Sequence, residues 1–424
     1  MTGLFLKVRV LSLEPVFPPD AANGRSVHVY ELVRNLAGQG HQVHIFSTWA
    51  GGGLSAPKIT CSRISARNTP LLYLQYLGTI LYLSLFKRYD AVYTRNTPFG
   101  VLGAFFFKTL RGTRLVCEVN GIADDEFDLE WSRDCTTGSR KVQRSSIRDR
   151  MNRLLAKFSE RYIVGKADAV VAVTEGIKTY LIDRYGLPEA RVSVIANGAN
   201  TDIFFPRDRH EARRLLGLPV EDRYVCFVGN FAPWQGVEYL IQAVPDIISQ
   251  DPCVCILLVG DGAMRQAWTS LAASVGALNH IRFTGAVPYE DVVLYIGASD
   301  ICVAPFISRR NERIGLSPLK IYEYLACGRP VIASRINGIT ELLTRSGGGI
   351  AVAPEDPREL ADAVHRLLSS ESLRREMGYR GCAYVTANHT WEKVAADVAG
   401  TLANNTNGAP SPLDSGDTRP RGQQ

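Results

Sequence analysis

Two successive series of short apolar runs, each run followed by an amphipathic stretch, constrain this chain more than any other feature. In the second half the runs are YVCFVGN (224–230), CVCILLVGDG (253–262), HIRFTGAV (280–287), DICVAPF (300–306) and PVIASR (330–335). Between them lie EYLIQAVPDIISQ, AMRQAWTSLAASVGA, VVLYIGAS and LKIYEYLACG, which have helical character. Short apolar strands alternating with helices predict a parallel sheet covered on both faces. The first half shows the same alternation: LFLKVRVLSL, HQVHIFS, YDAVYTR, TRLVCEVNG and DAVVAVT read as strands, and SVHVYELVRNLAGQG as an amphipathic helix stopped at Gly40. The fold class is therefore α/β, with two Rossmann-like doubly wound domains. A chain of 424 residues is too long for one core. The periodic pattern breaks near residues 200–222, which divides the chain into residues 1–205 and 206–389. The tail, 404–424, is rich in Pro, Gly, Asn and Ser and is expected to be disordered.

The net charge of +6 is unevenly distributed. Residues 1–205 carry 26 Lys and Arg against 18 Asp and Glu, +8, and the remainder carries −2. A basic first half suits an anionic substrate or a membrane surface. It is too mild to imply nucleic acid, and no nucleic-acid-binding motif occurs. Much of the positive charge sits on a stretch at 140–166, from Arg140 and Lys141 through Arg161 to Lys166. That stretch is either a solvated helix face or a contact for anionic headgroups. The nine cysteines are scattered without a Cys-x-x-Cys pair. This predicts reduced thiols in the cytoplasm and no zinc site. The N-terminal run is broken by Lys7 and Arg9 and reads as a strand rather than a secretory signal. The most apolar run, LLYLQYLGTILYLSLF (71–86), is short for a membrane span. It reads as a half-buried helix, or as a helix with one face on a membrane.

In open α/β sheets, ligands bind beyond the carboxyl ends of the strands. The loops at those ends are FPPDAANGRS, TRNTPF, EVNGIADDEF, GNFAPWQG, GDGAM, TGAVPYE and FISRRNERIGLSP. Asn23 and Gly24 precede a helix whose free N–H groups suit an anion, with His28 on its first turn, although a Gly at that position also makes an ordinary turn. Gly229 ends a strand and Gly236 opens a helix, with Trp234 and Gln235 between them. Trp234 is either a buried indole or an anchor for a ring. Ser317 and Pro318 suit a helix start, with Lys320 on the first turn and Glu323 one turn on. An ammonium group beside free helix amides makes a diphosphate site, and a carboxylate on the same face suits ribose hydroxyls. The plainer reading of Lys320 and Glu323 is a surface i,i+3 pair. No Gly-x-Gly-x-x-Gly follows the first strand, and there is no Walker A loop and no Gly-x-Ser-x-Gly elbow.

The stretch KIYEYLACGRPVIAS resembles the signature of the GT-B glycosyltransferases, in particular retaining family 4. ADAVVAVTEGIKTYL, VIANGANTDIFFP, GNFAPWQGVEYLIQA, LLVGDG and IRFTGAVPYEDV resemble further family segments in the family's order, over about residues 4–395. The resemblance implies an acceptor-binding first domain, a nucleotide-sugar-binding second domain, and a last helix, 390–403, that returns to the first. It implies that Glu323 binds the donor ribose. The turn Thr284-Gly285-Ala286-Val287 would hold the base, with Gly285 and Val287 as donor-side residues. Lys320 and the amides near Ser317 and Pro318 would face the diphosphate. Asn23, Gly24, Gly229, Trp234 and Gln235 complete the donor side. His28, Arg95, Glu118 and Asn120 form the acceptor side. Lys320, Glu312 and Asn120 are the catalytic candidates.

This chain departs from the family at three places. The family's Glu-x7-Glu lacks its first member, because Gly315 stands there; Glu312 is the substitute in the same loop. The family's Gly-Arg and Lys-Gly pairs read Gly229-Asn230 and Gln235-Gly236, which leaves the phosphate charge to Lys320 or to Arg309, Arg310 or Arg313. Asn120 stands where many members carry a histidine. The expected function is retaining transfer of a hexosyl or N-acetylhexosaminyl group from a nucleotide sugar to an acceptor hydroxyl, in surface polysaccharide or glycolipid assembly. No metal and no cofactor are required, since the nucleotide sugar is a substrate. The acceptor is a saccharide or a lipid-linked saccharide, and the location is cytoplasmic, at the inner face of the cell membrane. The rival readings are a GT-B-type sugar-nucleotide epimerase and a non-catalytic nucleotide-sugar-binding protein.

Overall fold

The apolar runs pair into two parallel sheets. In the computed structural model, which describes residues 8–16, 24–47, 57–64, 69–122, 147–309 and 313–403, the first sheet has seven strands. They are β1 (Arg9–Val16), β2 (Gln42–Ser47), β3 (Ile59–Arg63), β4 (Ala91–Arg95), β5 (Arg114–Val119), β6 (Ala169–Ala172) and β7 (Val192–Val194), in the order β3-β2-β1-β4-β5-β6-β7. The second sheet holds β8 (Arg223–Val228), β9 (Val254–Val259), β10 (Ile281–Gly285), β11 (Ile301–Ala304), β12 (Val331–Ser334) and β13 (Gly349–Val352), in the order β10-β9-β8-β11-β12-β13. Every pairing is parallel. Both orders place the topological switch between the first and fourth strands, β1/β4 and β8/β11, where a crevice opens at the carboxyl ends.

Central strands are buried on both faces, which is why they read as unbroken apolar runs: β4, β6, β11 and β12 are buried along their length. Helix α1 (Gly24–Gly38) covers one face of the first sheet. Helix α2 (Thr69–Phe86), the Pro98–Gly103 helix with its π-helical continuation Ala104–Thr109, and the Ile147–Lys166 helix cover the other. Leu319–Ala326 forms an eight-residue helix between β11 and β12.

The last helix, Trp391–Ala403, leaves the second sheet and packs on the first. Trp391, Val394, Ala395, Val398 and Leu402 join Val29, Leu32, Val33 and Leu36 of α1 in one core. Arg114 fixes its end by donating to the Thr401 carbonyl (Nη2–O 2.9 Å). The eight described cysteines are free thiols. Residues 123–146, which include Asp124 to Asp128 and the start of the basic stretch, lie outside the described residues, as do Asn23, Arg310, Glu312 and the 404–424 tail.

Candidate active site in the interdomain cleft

The two switch points face one another across a cleft of about 560 Å³. One wall comes from the first domain: Gly24 and His28 of α1, Arg95 at the end of β4, and Asn120 just past β5. The other comes from the second: Gly229, Trp234 and Gln235 after β8, Ala286 and Val287 after β10, and Ser317 to Lys320 with Glu323 at the 319–326 helix. Gly24 meets Leu319 across the gap, a Cβ at Gly24 being 3.6 Å from Leu319 Cδ1.

Lys320 is not a surface residue. Its Nζ donates to Gln235 Oε1 at 2.7 Å and lies 3.9 Å from the centroid of the Phe227 ring. A cation over an aromatic face inside a cleft is attracted by the ring quadrupole. Gly229 makes room for it: a Cβ there would stand 2.8 Å from Nζ, and the backbone is in the left-handed region (φ +146°). Gln235, at the family's lysine position, is therefore an acceptor that holds the lysine of the neighbouring helix. Burial pushes Lys320 down to about 7, against the opposing pull of Glu323. Glu323, which is buried, accepts from Tyr289 Oη at 3.0 Å, and burial pushes its carboxyl up to about 7. A diphosphate would stabilise the charged ammonium in this site, and ribose hydroxyls would stabilise the carboxylate.

The first-domain wall is organised around Glu118, a fully buried carboxylate at the end of β5. His28 Nε2 (3.0 Å), Arg95 Nη2 (3.2 Å), Tyr93 Oη and Asn120 Nδ2 all bond to it. Burial alone would raise its carboxyl. The charges of His28 and Arg95 and the hydrogen bonds from His28 and Tyr93 outweigh that and hold it well below the usual carboxylate range. Glu118 thus orients His28, Arg95 and Asn120. It is not a base. Asn120 Oδ1 is buried with no hydrogen-bond partner among the described residues. His28 Nδ1 bonds Asn197 Oδ1 at 2.8 Å, and Trp391 packs edge-on against its ring at 5.0 Å.

Several expectations are corrected. Ser317 does not cap the 319–326 helix; the cap position is Pro318, with no side-chain bond. Its hydroxyl instead accepts the Asn197 N–H from the interdomain segment at 3.0 Å and bonds Tyr322 Oη at 2.9 Å. Gly285 does not line the cleft: its carbonyl accepts from Gly260 N–H (3.0 Å), and it turns the chain so that Ala286 and Val287 do. Gly236 packs under Pro305, whose carbonyl oxygen a Cβ would meet at 1.9 Å. Arg309 is exposed outside the cleft lining, and Arg313 stacks over Tyr180 of the first domain at 4.9 Å. Two residues were missed. Asn197 joins the walls, its Nδ2 donating to the Ser317 carbonyl, and Tyr289 holds Glu323. Both lie in the segments VIANGAN and TGAVPYED, but nothing local distinguishes them.

Gly315 cannot simply regain the family's glutamate. It has φ +71°, and a Cβ would stand 2.6 Å from the Asn337 carbonyl oxygen. Gly315→Glu is expected to lower Tm by several degrees and to leave transfer slower, not faster. Faster transfer at an unchanged Tm would contradict this geometry.

Residues 22–203 match the family model described as Glycosyltransferase Family 4, and residues 222–370 match Glycosyl transferases group 1. The chain is a GT-B glycosyltransferase. A D-inositol 3-phosphate glycosyltransferase of Corynebacterium diphtheriae is 26% identical over 92% of this chain and 92% of its own length. The sucrose-phosphate synthase of Thermosynechococcus elongatus shares the fold with a TM-score of 0.72 at 23% identity, over 92% of this glycosyltransferase and 98% of that chain. HepE of Anabaena, solved with UDP-glucose, has a TM-score of 0.69 at 19% identity, over 93% and 99%. Among the described residues no helix of this glycosyltransferase is long and apolar enough to cross a membrane.

Proposed function

We propose that the enzyme transfers a hexosyl or N-acetylhexosaminyl group from a nucleoside diphosphate sugar to an acceptor hydroxyl with retention of configuration. The observation that carries this reading is the position of Lys320 and Glu323, on consecutive turns of one helix and both lining the interdomain cleft. The diphosphate lies against the Lys320 ammonium and the opening amides of that helix. The ribose lies on Glu323, and the base at the Ala286-Val287 backbone. The bond from C1 to the diphosphate oxygen breaks, C1 bonds to the acceptor oxygen on the same face, and the acceptor proton passes to the departing phosphate. Negative charge grows on that phosphate, so Lys320 stabilises the transition state more than the ground state.

Asn120, held by Glu118, and His28 and Arg95 lie on the acceptor side of the sugar. HepE makes UDP-glucose the first donor to test. The Corynebacterium relative makes a phosphorylated cyclitol the first soluble acceptor. The acceptor of this chain is a saccharide or lipid-linked saccharide at the inner membrane face, and the exposed Lys157, Arg161 and Lys166 suit anionic headgroups there.

The test is a nucleotide-sugar panel scored by thermal shift, then by transfer, with the anomer read by NMR. Donor-dependent stabilisation and a retained anomer in the product are expected. Conversion of donor without acceptor would indicate an epimerase, and binding without any turnover a non-catalytic protein. Either overturns the reading. Among the described residues no cluster of His, Cys, Asp and Glu is placed to hold a metal ion. Transfer is expected to continue within about twofold in excess EDTA, and a loss restored by Mg²⁺ or Mn²⁺ would refute a metal-independent reaction.

A further inference from the structure

Helix α2 has one face that the described residues leave exposed. Its eighteen residues include no charged side chain. Tyr76, Ile80 and Leu83 are buried against the sheet, and Tyr76 Oη donates to the Leu13 carbonyl at 2.9 Å. On the opposite face Leu74, Leu81, Tyr82, Leu85 and Phe86 are between 41% and 69% exposed. A helix on a protein surface ordinarily turns polar residues to solvent, and one that is apolar all round is ordinarily buried. The neighbouring elements continue the surface. Phe105 of the π-helical turn, Leu110 just after it, and Leu154, Leu155 and Phe158 of the 147–166 helix are exposed as well. These elements cover the same face of the first sheet, away from α1 and the terminal helix. Exposed apolar surface on this scale marks an interaction site.

What would cover it is indicated by charge. At the last turn of α2 the chain continues into Lys87 and Arg88, both exposed. They open a second pocket of about 620 Å³, which is also lined by Lys108, Arg111 and Arg114. The acids there are Asp90 and Asp168, and Asp168 is paired with Lys108 at 2.6 Å. Five cations against two acids leave the pocket strongly positive. It sits at the amino ends of β4 and β5, the opposite edge of the sheet from the cleft, so it is not part of the donor site. An uncharged apolar helix face ending in a basic pocket matches a bilayer interface, with acyl chains under the leucines and phosphates beside the cations.

We propose that this enzyme docks on an anionic lipid bilayer through the exposed face of α2, with lipid phosphates received by the Lys87–Arg114 pocket. The inference deepens the membrane reading above: α2, rather than the basic 147–166 helix alone, makes the contact. The crossover from β3 to β4 sets α2 antiparallel to the strands, so its first turn lies at the cleft edge of the sheet. A bilayer along α2 would therefore present a lipid-anchored hydroxyl near the mouth of the cleft.

The test is flotation of the full chain with vesicles of 30 mol% anionic phospholipid, and with purely zwitterionic vesicles. The variants are Leu74→Glu/Leu85→Glu and Lys87→Glu/Arg88→Glu. All four positions are exposed, so the variants should fold and transfer sugar to a soluble acceptor as the parent does. The leucine pair is expected to weaken binding to both vesicle types at least tenfold. The basic pair is expected to remove the preference for anionic vesicles, as 0.5 M salt should for the parent. Anionic-vesicle binding that survives both variants would overturn the α2 assignment and leave the membrane reading standing. No vesicle binding by the parent would end both readings and leave transfer to the soluble acceptor untouched. A parent dimer that the leucine pair converts to monomer in sedimentation, without vesicle binding, would assign the face to a second copy of the chain and overturn the proposal.

Discussion

Lys320→Ala is expected to lower kcat by about 10²–10³ while KM for the donor changes by less than about tenfold, since removing one preorganised charge at a leaving group has that cost. No other cation is placed to replace it among the described residues of the second-domain wall: the family's lysine position is Gln235, which accepts from Lys320 Nζ at 2.7 Å. The pH profile gives a separate readout. Burial holds Lys320 down to about 7, and the ammonium form is the one that binds diphosphate. That form is present below the pKa and lost above it, so kcat/KM should fall as pH rises through about 7. Bound diphosphate raises the pKa, so kcat should hold to higher pH. Glu323, pushed up to about 7, is ionised only above that value and should add an acid limb. Lys320→Arg keeps its charge at every pH and should remove the alkaline limb. A Lys320→Ala enzyme within threefold of the parent, or an alkaline limb that persists in Lys320→Arg, would refute this assignment.

Glu118→Ala is expected to be among the most destabilising single changes in the first domain. It leaves the buried Arg95 guanidinium, the Tyr93 hydroxyl, His28 and the Asn120 amide without their shared acceptor. Breaking a buried ion pair from one side costs about 3–5 kcal/mol. At roughly 2–4 °C per kcal/mol for a domain of this size, Tm should fall by about 6–20 °C. The sign with pH follows from the lowered carboxyl. Its stabilisation is complete above the unfolded value near 4.5 and is lost only as pH falls through the lower folded value. The gap between parent and variant should therefore be constant from pH 6 to 8. Calorimetry checks both points, and a loss under about 1 kcal/mol would mean that the network contributes little.

The two α/β domains were legible because β4, β6, β11 and β12 are buried on both sides and so are uninterrupted apolar runs. The edge strands β3 and β13 were not. ITCSR (β3) and GIAV (β13) are half-exposed, short and mixed in composition, so they carry no period of their own. The helix Trp391–Ala403 and its return to the first domain were legible only through the family resemblance, because its packing on α1 is a contact made across most of the chain.

Local chemistry in the sequence determined that a lysine and a glutamate three residues apart would share one face at the start of a helix, because helical geometry alone puts them there. Whether that face looked into solvent or into a cleft, it could not determine. The tertiary structure decided this by folding Phe227, Gly229 and Gln235, some ninety residues away, around the ammonium group. It likewise gathered Tyr93, Arg95, Glu118 and Asn120 from two neighbouring strands and joined the walls through Asn197, since hydrogen bonds between distant segments depend on which strands the sheet sets side by side.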